Sequence, residues 1–294
     1  MHARSALFDL YGDHLVRREG WAPVAGLVRI LDALDIAAPA VRTAVSRMVR
    51  EGWLRPIERA GARGYATTDQ ARSHLQGAHD RIYDTRPRGW DGKWDVVVLQ
   101  PIATRAVRDR VTALLRYLGY ANLSGTTWLA AHRHDELELG LHAVGVDWHG
   151  FASRLDGDDR ELAMSLWDLE DLAQSYRRFT RELLAVGPAS DPSAPDEDDR
   201  AAFAQRADLV HRWRLFLFTD PSLPADVLPA DWPRPQAATA FCSAAQELAA
   251  PADAYVDECL SLRRPQSAST MTTAAMIMST KVAVGITAGR RTAG

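Results

Sequence analysis

The stretch AVRTAVSRMVREGWLRP, residues 40–56, sets two guanidinium groups and two hydroxyls where they can act together. On a helix of about 3.6 residues per turn, Thr43, Ser46, Arg47 and Arg50 fall at i, i+3, i+4 and i+7 and form one stripe. Val41, Ala44, Val45 and Met48 occupy a broad face largely turned away from it. One side therefore packs, and the other is open to a partner. Arginine forks can make paired bonds to guanine O6 and N7, while short hydroxyls reach phosphates or base edges. The plainer use of such a stripe is solvation, because the outer face of an amphipathic helix is commonly polar.

The surrounding elements decide between these uses. Leu7, Leu10, Tyr11 and Leu15 recur at helical spacing, as do Val24, Leu27, Val28, Leu31 and Leu34, with a break at EGWAP between the two runs. A third helix opens at Pro39, suited to a first turn, and stops at Gly52; Ala38 before it offers no side-chain cap. WLRPIER, AGAR and GYATT then read as a hairpin. Three helices followed by a hairpin is the order of a winged helix-turn-helix, whose last helix enters the major groove. In that frame the DNA-binding candidates are Arg42, Thr43, Ser46, Arg47 and Arg50 on the helix, with Arg59 and Arg63 beside the wing turn. The alternative for the last two is a solvated hairpin tip.

Charge points the same way. Between residues 40 and 63 six arginines oppose two glutamates, a surplus of four positive charges in a chain whose net charge is -3. A basic patch inside an acidic protein has an electrostatic use beyond solubility. The overall balance excludes a globally basic nucleic-acid coat protein.

A second group of residues suits a small ligand. Trp128, Trp167, Tyr176 and Trp213, with Arg177, Arg178 and Arg214 nearby in sequence, could line an aromatic cavity with a cationic rim. Such a cavity would take an aryl group bearing phosphates. Aromatics on apolar faces are more commonly core. The run HRHDE, residues 132–136, has metal-ligand types, but neighbours two apart point to different sides of a helix, so acids in a first helical turn are the better account. No phosphate loop, G-x-S-x-G, H-E-x-x-H or strand-linked G-x-G-x-x-G occurs, so neither a catalytic residue nor a metal or cofactor is expected.

At 294 residues, two or three compact units are expected. WDVVVLQPI reads as a buried strand, RAVRDRVTALLRYLGY as an amphipathic helix, and Tyr120–Leu123, TTWLAA, DELELGLHAV and GVDWHGFASRL complete a β-α-β-β-α-β pattern. From about Asp159 the chain turns helical, with a loop at GPASDPSAPDEDD. The expected class is α+β and multidomain. A winged helix-turn-helix spans 1–75, a linker helix and loop 76–93, a ferredoxin-like domain 94–158, a helical domain 159–262, and an atypical, disordered tail or reading-frame product 263–294. Two cysteines, no signal peptide and no apolar run long enough to span a membrane fit a reducing cytoplasm.

Six blocks in order, RSALFDLYGDHLVRREG, AVRTAVSRMVREGWLRP, the hairpin GY, WDGKWDVVVLQPI, WDLEDLAQSYRRF and LVHRWRLFLFTDPSLPADVLPADWP, resemble the PaaX family of phenylacetic acid catabolism repressors. The resemblance runs from about residue 4 to 262, and the family's recognition-helix pattern falls on Val41 to Val49. It implies a homodimer that binds double-stranded operator DNA, represses an operon for aromatic-acid breakdown and releases DNA when an aryl-CoA thioester such as phenylacetyl-CoA binds. The central fold is related to small CRISPR-associated nucleases, so a metal-dependent nuclease is the competing expectation. Against it, the first central strand ends in Gln100–Pro101 with no acid. An activator of the same architecture would read alike.

Overall fold

The computed structural model describes residues 1–86, 89–185 and 195–261. The expected tail, 263–294, lies outside the described residues, as do residues 87–88 of the expected linker. Residues 1–260 form one compact unit of mixed α and β structure.

The chain opens with α1 (Ala3–Leu10), prolonged by a π-turn over Tyr11–Leu15, then β1 (Trp21–Pro23), α2 (Val24–Asp32) and α3 (Ala38–Arg50). A hairpin of β2 (Leu54–Arg59) and β3 (Ala62–Thr67) follows, and the three strands make an antiparallel sheet in the order β1-β3-β2. The hairpin turn is the pair Ala60–Gly61, both at positive φ, the backbone that a two-residue turn between twisted strands demands. β1 corrects the sequence expectation, which took EGWAP only as a break. At three residues it is too short to show alternation, and it exists because β3 supplies its bonds: Trp21 faces Ala66 and Pro23 faces Gly64.

α4 (Asp69–Tyr83) starts at Thr68, whose side chain accepts a bond from Ala71 N, and leads to the central unit. There β4 (Trp94–Leu99), α5 (Arg105–Tyr117), β5 (Ala121–Ser124), β6 (Thr127–Ala130), α6 (Glu136–Ala143) and β7 (Trp148–Ser153) build an antiparallel sheet in the order β5-β6-β4-β7. Alternation along the strands gives the sheet two packed faces. Val97, Leu99, Trp128 and Ala130 join α5 and α6 on one side, while Trp94, Leu129 and Ala131 join Ala163, Leu169 and Val227 on the other. Asp95 on β4 accepts bonds from Tyr120 Oη and from Arg133 Nε at 3.0 Å, so this buried acid is a structural link.

The remaining helices are α7 (Asp159–Leu166), α8 (Leu169–Ala185), α9 (Pro195–Arg214), α10 (Arg234–Glu247) and α11 (Ala249–Leu260). The loop expected over GPASDPSAPDEDD is corrected where it is described, because the backbone is helical from Pro195. A proline followed by acids is a helix-start signal, since proline fits the first turn and carboxylates face its free N–H groups. Residues 186–194 lie outside the described set.

The C-terminal helices enter the N-terminal core. Leu7, Leu27, Leu31, Val45 and Met48 share one cluster with Phe203 of α9 and with Ala252, Tyr255, Val256 and Cys259 of α11. α2 and α11 meet at Gly26, where an added Cβ would lie 3.0 Å from the Cys259 carbonyl oxygen. Tyr255 Oη donates to Arg29 O at 3.0 Å, and the Arg29 guanidinium donates to Cys259 O.

Candidate nucleic-acid interface

α3 is amphipathic as its spacing predicts. Val41, Ala44, Val45 and Met48 are buried against α1 and α2, whereas Arg42, Thr43, Ser46, Arg47 and Arg50 are exposed. Its start has no side-chain cap, because the residue in that position is Ala37; Pro39 supplies the fixed φ of the first turn instead. Its end is tied down by Trp53 N, which donates to Met48 O at 2.9 Å.

The exposed face is not uniformly free. Thr43 Oγ1 donates back to Pro39 O at 2.9 Å. Arg47 Nε donates to Glu51 Oε1 at 3.0 Å, and Arg4 of α1 donates to the other oxygen of the same carboxylate at 2.6 Å. The Arg47 bond, with further help from Arg4, holds the Glu51 carboxyl below its ordinary value. Arg47 keeps 62% of its side chain exposed, so this one-turn pair leaves it able to reach outward. Among the described residues, no ion pair or hydrogen bond engages the side chains of Arg42, Arg50 or Arg63.

The two hairpin arginines differ. Arg63 is exposed on β3, opposite Glu58. Arg59 folds back: its Nη1 donates to Glu19 Oε2 at 2.8 Å, and its guanidinium lies over the Trp21 ring, 5.4 Å from the centroid. Glu19 sits at φ 60, a left-handed position placing it just ahead of β1. That partnership joins residues 40 apart, and neither the spacing nor the charge count signals it.

The aromatic and arginine residues expected to line a ligand cavity do not converge. Trp128 is in the core between the sheet and α5, and Trp167 stacks on Trp94 across the other face at a centroid distance of 5.9 Å. Tyr176 and Trp213 share a third core with Phe241, where Tyr176 Oη donates to Asp220 at 2.5 Å and Trp213 Nε1 to Ile82 O at 3.0 Å. Burial first, then the Asp220 carboxylate, push the Tyr176 hydroxyl well above its ordinary pKa. Arg177 pairs with Asp231 and Arg178 bonds to Ser175, both on the exposed side of α8. Arg214 approaches Asp9 of α1 at 2.7 Å. Their separation has a plain cause, because helices α8 and α9 turn their rings into the core between them.

A buried ionic network missed by sequence reasoning ties these parts together. Arg206 of α9 donates from Nε and Nη2 to the two oxygens of Asp13, at 2.7 and 3.0 Å, and Tyr83 Oη of α4 donates to Asp13 Oδ1 at 2.6 Å. Burial alone would raise the Asp13 carboxyl; the charge of His14 and the Arg206 bonds reverse that and lower it. The His14 ring lies between Asp13, at 3.4 Å, and Asp253 of α11, at 2.8 Å. Partners as much as 239 residues apart leave no local pattern to read.

Among the described residues, no set of three His, Cys, Asp or Glu side chains could hold a metal ion. The HRHDE run instead leads into α6, with Glu136 and Glu138 in its first turn. No described helix is long and apolar enough to cross a membrane, and Cys242 and Cys259 are unpaired thiols.

These features define a three-part α+β protein that displays one basic helix from its N-terminal unit. Matches to family models cover the parts in order: PaaX-like protein over residues 2–71, PaaX protein central Cas2-like domain over 87–160, and PaaX-like protein C-terminal domain over 167–258. The chain belongs to the PaaX-like family. It is 26% identical over 268 residues to the transcriptional repressor PaaX of Escherichia coli (strain K12), covering 86% of this chain and 83% of that protein. Among solved structures it resembles the uncharacterized protein Rv0674 from Mycobacterium tuberculosis, at 25% identity and a TM-score of 0.59, covering 86% of this chain and 98% of that one.

Proposed function

We propose that this protein is a DNA-binding transcriptional regulator, a repressor of an aromatic-acid catabolic operon of the phenylacetate type. The observation that carries the reading is α3, whose apolar side is sunk in the core while Arg42, Ser46, Arg47 and Arg50 stand in solvent. We read the α-β-α-α-β-β unit around it as a winged helix-turn-helix, with α3 as the recognition helix and the β2–β3 hairpin as the wing. The likeness to a transcriptional repressor across most of the chain supports the same role.

In this reading Arg47 and Arg50 contact base edges, while Arg42, Thr43 and Ser46 fix the helix on phosphates. Arg63 meets the backbone from the wing. Arg59, held by Glu19 and Trp21, reaches a phosphate only by leaving that site. A homodimer would set two such helices about one helical turn of DNA apart on a palindromic operator. An aryl-CoA thioester such as phenylacetyl-CoA would act by binding better to a conformer in which the two helices no longer match that spacing. No catalytic step or resident cofactor enters this reading. The nuclease alternative gains no support, because Asp95 is engaged by Tyr120 and Arg133 and the exit of β4 carries no acid.

The test is a fluorescence-anisotropy titration with DNA from the upstream region of its own gene, at two salt concentrations, with and without phenylacetyl-CoA. Sequence-specific binding reversed by the thioester is the expected result. Weak binding of any sequence, strongly dependent on salt, would overturn the reading.

A further inference from the structure

The seven ligand candidates do not together form a pocket, and only Arg214 among them lines the cavity of about 240 Å³ where α1, α4, α5, α6 and α9 come together. Phe8 and Trp53 wall it from the N-terminal unit, Leu75, Ala78 and Arg81 from α4, and Tyr117 from α5. Phe8 and Trp53 meet edge to face with centroids 4.7 Å apart.

We infer that this cavity is a binding site for a single aromatic ring carrying a short, uncharged acyl arm. The inference rests on the regulator reading and gives that regulator a place to sense its ligand. Size sets the first limit. A cavity of roughly 150 Å³ accommodates benzene, so the volume here suits one ring and a few further atoms. Any larger conjugate must leave its remainder outside.

Charge sets the second limit. Three carboxylates border the cavity, and each already has a cation: Asp13 has Arg206, Asp9 has Arg214 at 2.7 Å, and Glu136 has Arg81 at 3.8 Å. A carboxylate ligand would bring a fourth negative charge to a wall whose two arginines, Arg81 and Arg214, are already paired with acids and whose other basic groups are the His74 and His79 rings, whereas a carbonyl needs only a donor. Arg81 can provide one. Its Nη2 donates to Tyr117 Oη and its pairing with Glu136 is loose, while its buried Nε–H has no acceptor among the described residues. A buried donor without a partner is costly, and a ligand oxygen would relieve it.

The position also couples the cavity to the reading helix. Trp53 is joined through its backbone N–H to Met48 at the end of α3, and its carbonyl accepts from Thr68 N at 3.1 Å at the start of α4. A ring pressing on the Trp53 indole therefore acts on the last turn of the helix that carries Arg47 and Arg50. A ligand that fits better when Trp53 is displaced would favour a different placement of α3.

Calorimetric titration of the full-length protein with phenylacetamide and with phenylacetate, alongside operator binding of the same samples, tests this. Ala78→Phe would fill the cavity from α4, and Arg81→Met would remove the donor. The expected result is binding of phenylacetamide in preference to phenylacetate by wild type, at least ten-fold weaker in both variants, with melting temperature retained in both and operator affinity retained in Arg81→Met. Equal binding by Ala78→Phe and wild type, or no binding of phenylacetamide by wild type, would overturn the site; a preference for phenylacetate would overturn its neutral character. If wild type still binds its operator specifically, the failure belongs to the site and the regulator reading stands. Should Ala78→Phe fail to fold, Arg81→Met decides by the same criteria.

Discussion

The guanidinium of Arg206 and the carboxylate of Asp13 meet in a two-bond fork, at 2.7 and 3.0 Å, across 193 residues of sequence. Both side chains are almost wholly buried, 5% and 6% exposed, and Tyr83 closes the network by donating to the acid and accepting from the arginine. The fork fastens the π-turn after α1 to α9 while Tyr83 anchors α4 to both. Removing one partner leaves the other as an uncompensated buried charge.

Arg206→Met should therefore cost about 3–5 kcal/mol of unfolding free energy. Asp13→Asn keeps the shape but loses the charge and should fall in the same direction. Urea denaturation of both single variants and the double variant checks this, with the double costing clearly less than the sum. Additive losses would mean that the two residues do not act as a pair.

On the interface, Arg47→Ala and Arg50→Ala should each weaken operator binding by about 1–3 kcal/mol while leaving the melting temperature unchanged. Arg63→Ala should weaken all DNA sequences alike and reduce the salt slope by about one unit. Anisotropy titrations on operator and scrambled DNA separate the two behaviours.

Glu51 holds both Arg47 and Arg4, so in the proposed complex it would compete with DNA for Arg47. Glu51→Gln should tighten DNA binding, most visibly at low salt, because it removes a negative charge beside the reading face and frees a guanidinium. A weaker complex would show instead that the Glu51 pair orients Arg47 for its contact.

Acid should loosen the molecule at a defined place. Asp253 is held well below its ordinary value by the His14 bond, with the charges of His14, Arg18 and Arg17 outweighing the opposing effect of burial, and Asp13 is lowered as well. A carboxyl whose native pKa is depressed gives stability that is present above its unfolded value and lost as pH falls toward the native one. Thermal stability should decline steeply below about pH 4. In Asp253→Asn the decline should be shallower, starting from a lower plateau, as read by melting followed with circular dichroism.

Gly64 is required by a close approach. A Cβ there would lie 2.5 Å from the Ala22 carbonyl oxygen and 2.7 Å from the Trp21 ring. Gly64→Ala should cost about 1–3 kcal/mol by overpacking and push β1 away from β3. Since Trp21 is also the ring under Arg59, fluorescence quenching of Trp21 should change with it.

What could be read ahead of the structure follows from how local each feature is. The α3 stripe was legible because one helix contains both its apolar anchor and its polar face, and the order of central elements because each strand and helix carries its own period. β1 was not, since three residues acquire strand character only from Gly64 to Ala66 across the ladder. The β2–β3 hairpin was legible but not the partners of its charges, because Arg59 answers to Glu19 in a loop before β1. The ligand candidates failed to converge for a related reason: ring content marks a residue as packed without saying in which core. Phe8, Trp53 and Arg81 gave no signal, lying in three elements that only the assembled fold brings to one cavity.

The intrusion of α11 into the N-terminal core governs how this molecule is made. While the chain is being synthesised, Leu27, Leu31 and their neighbours wait uncovered until Tyr255 and Val256 have emerged, so the core beneath α3 is completed more than two hundred residues after it is begun. A stop codon anywhere before Ala249 would not release a small, permanently bound DNA-binding fragment. It would yield a chain with an open core, prone to proteolysis or aggregation, and the genetic outcome would be loss of the regulator altogether.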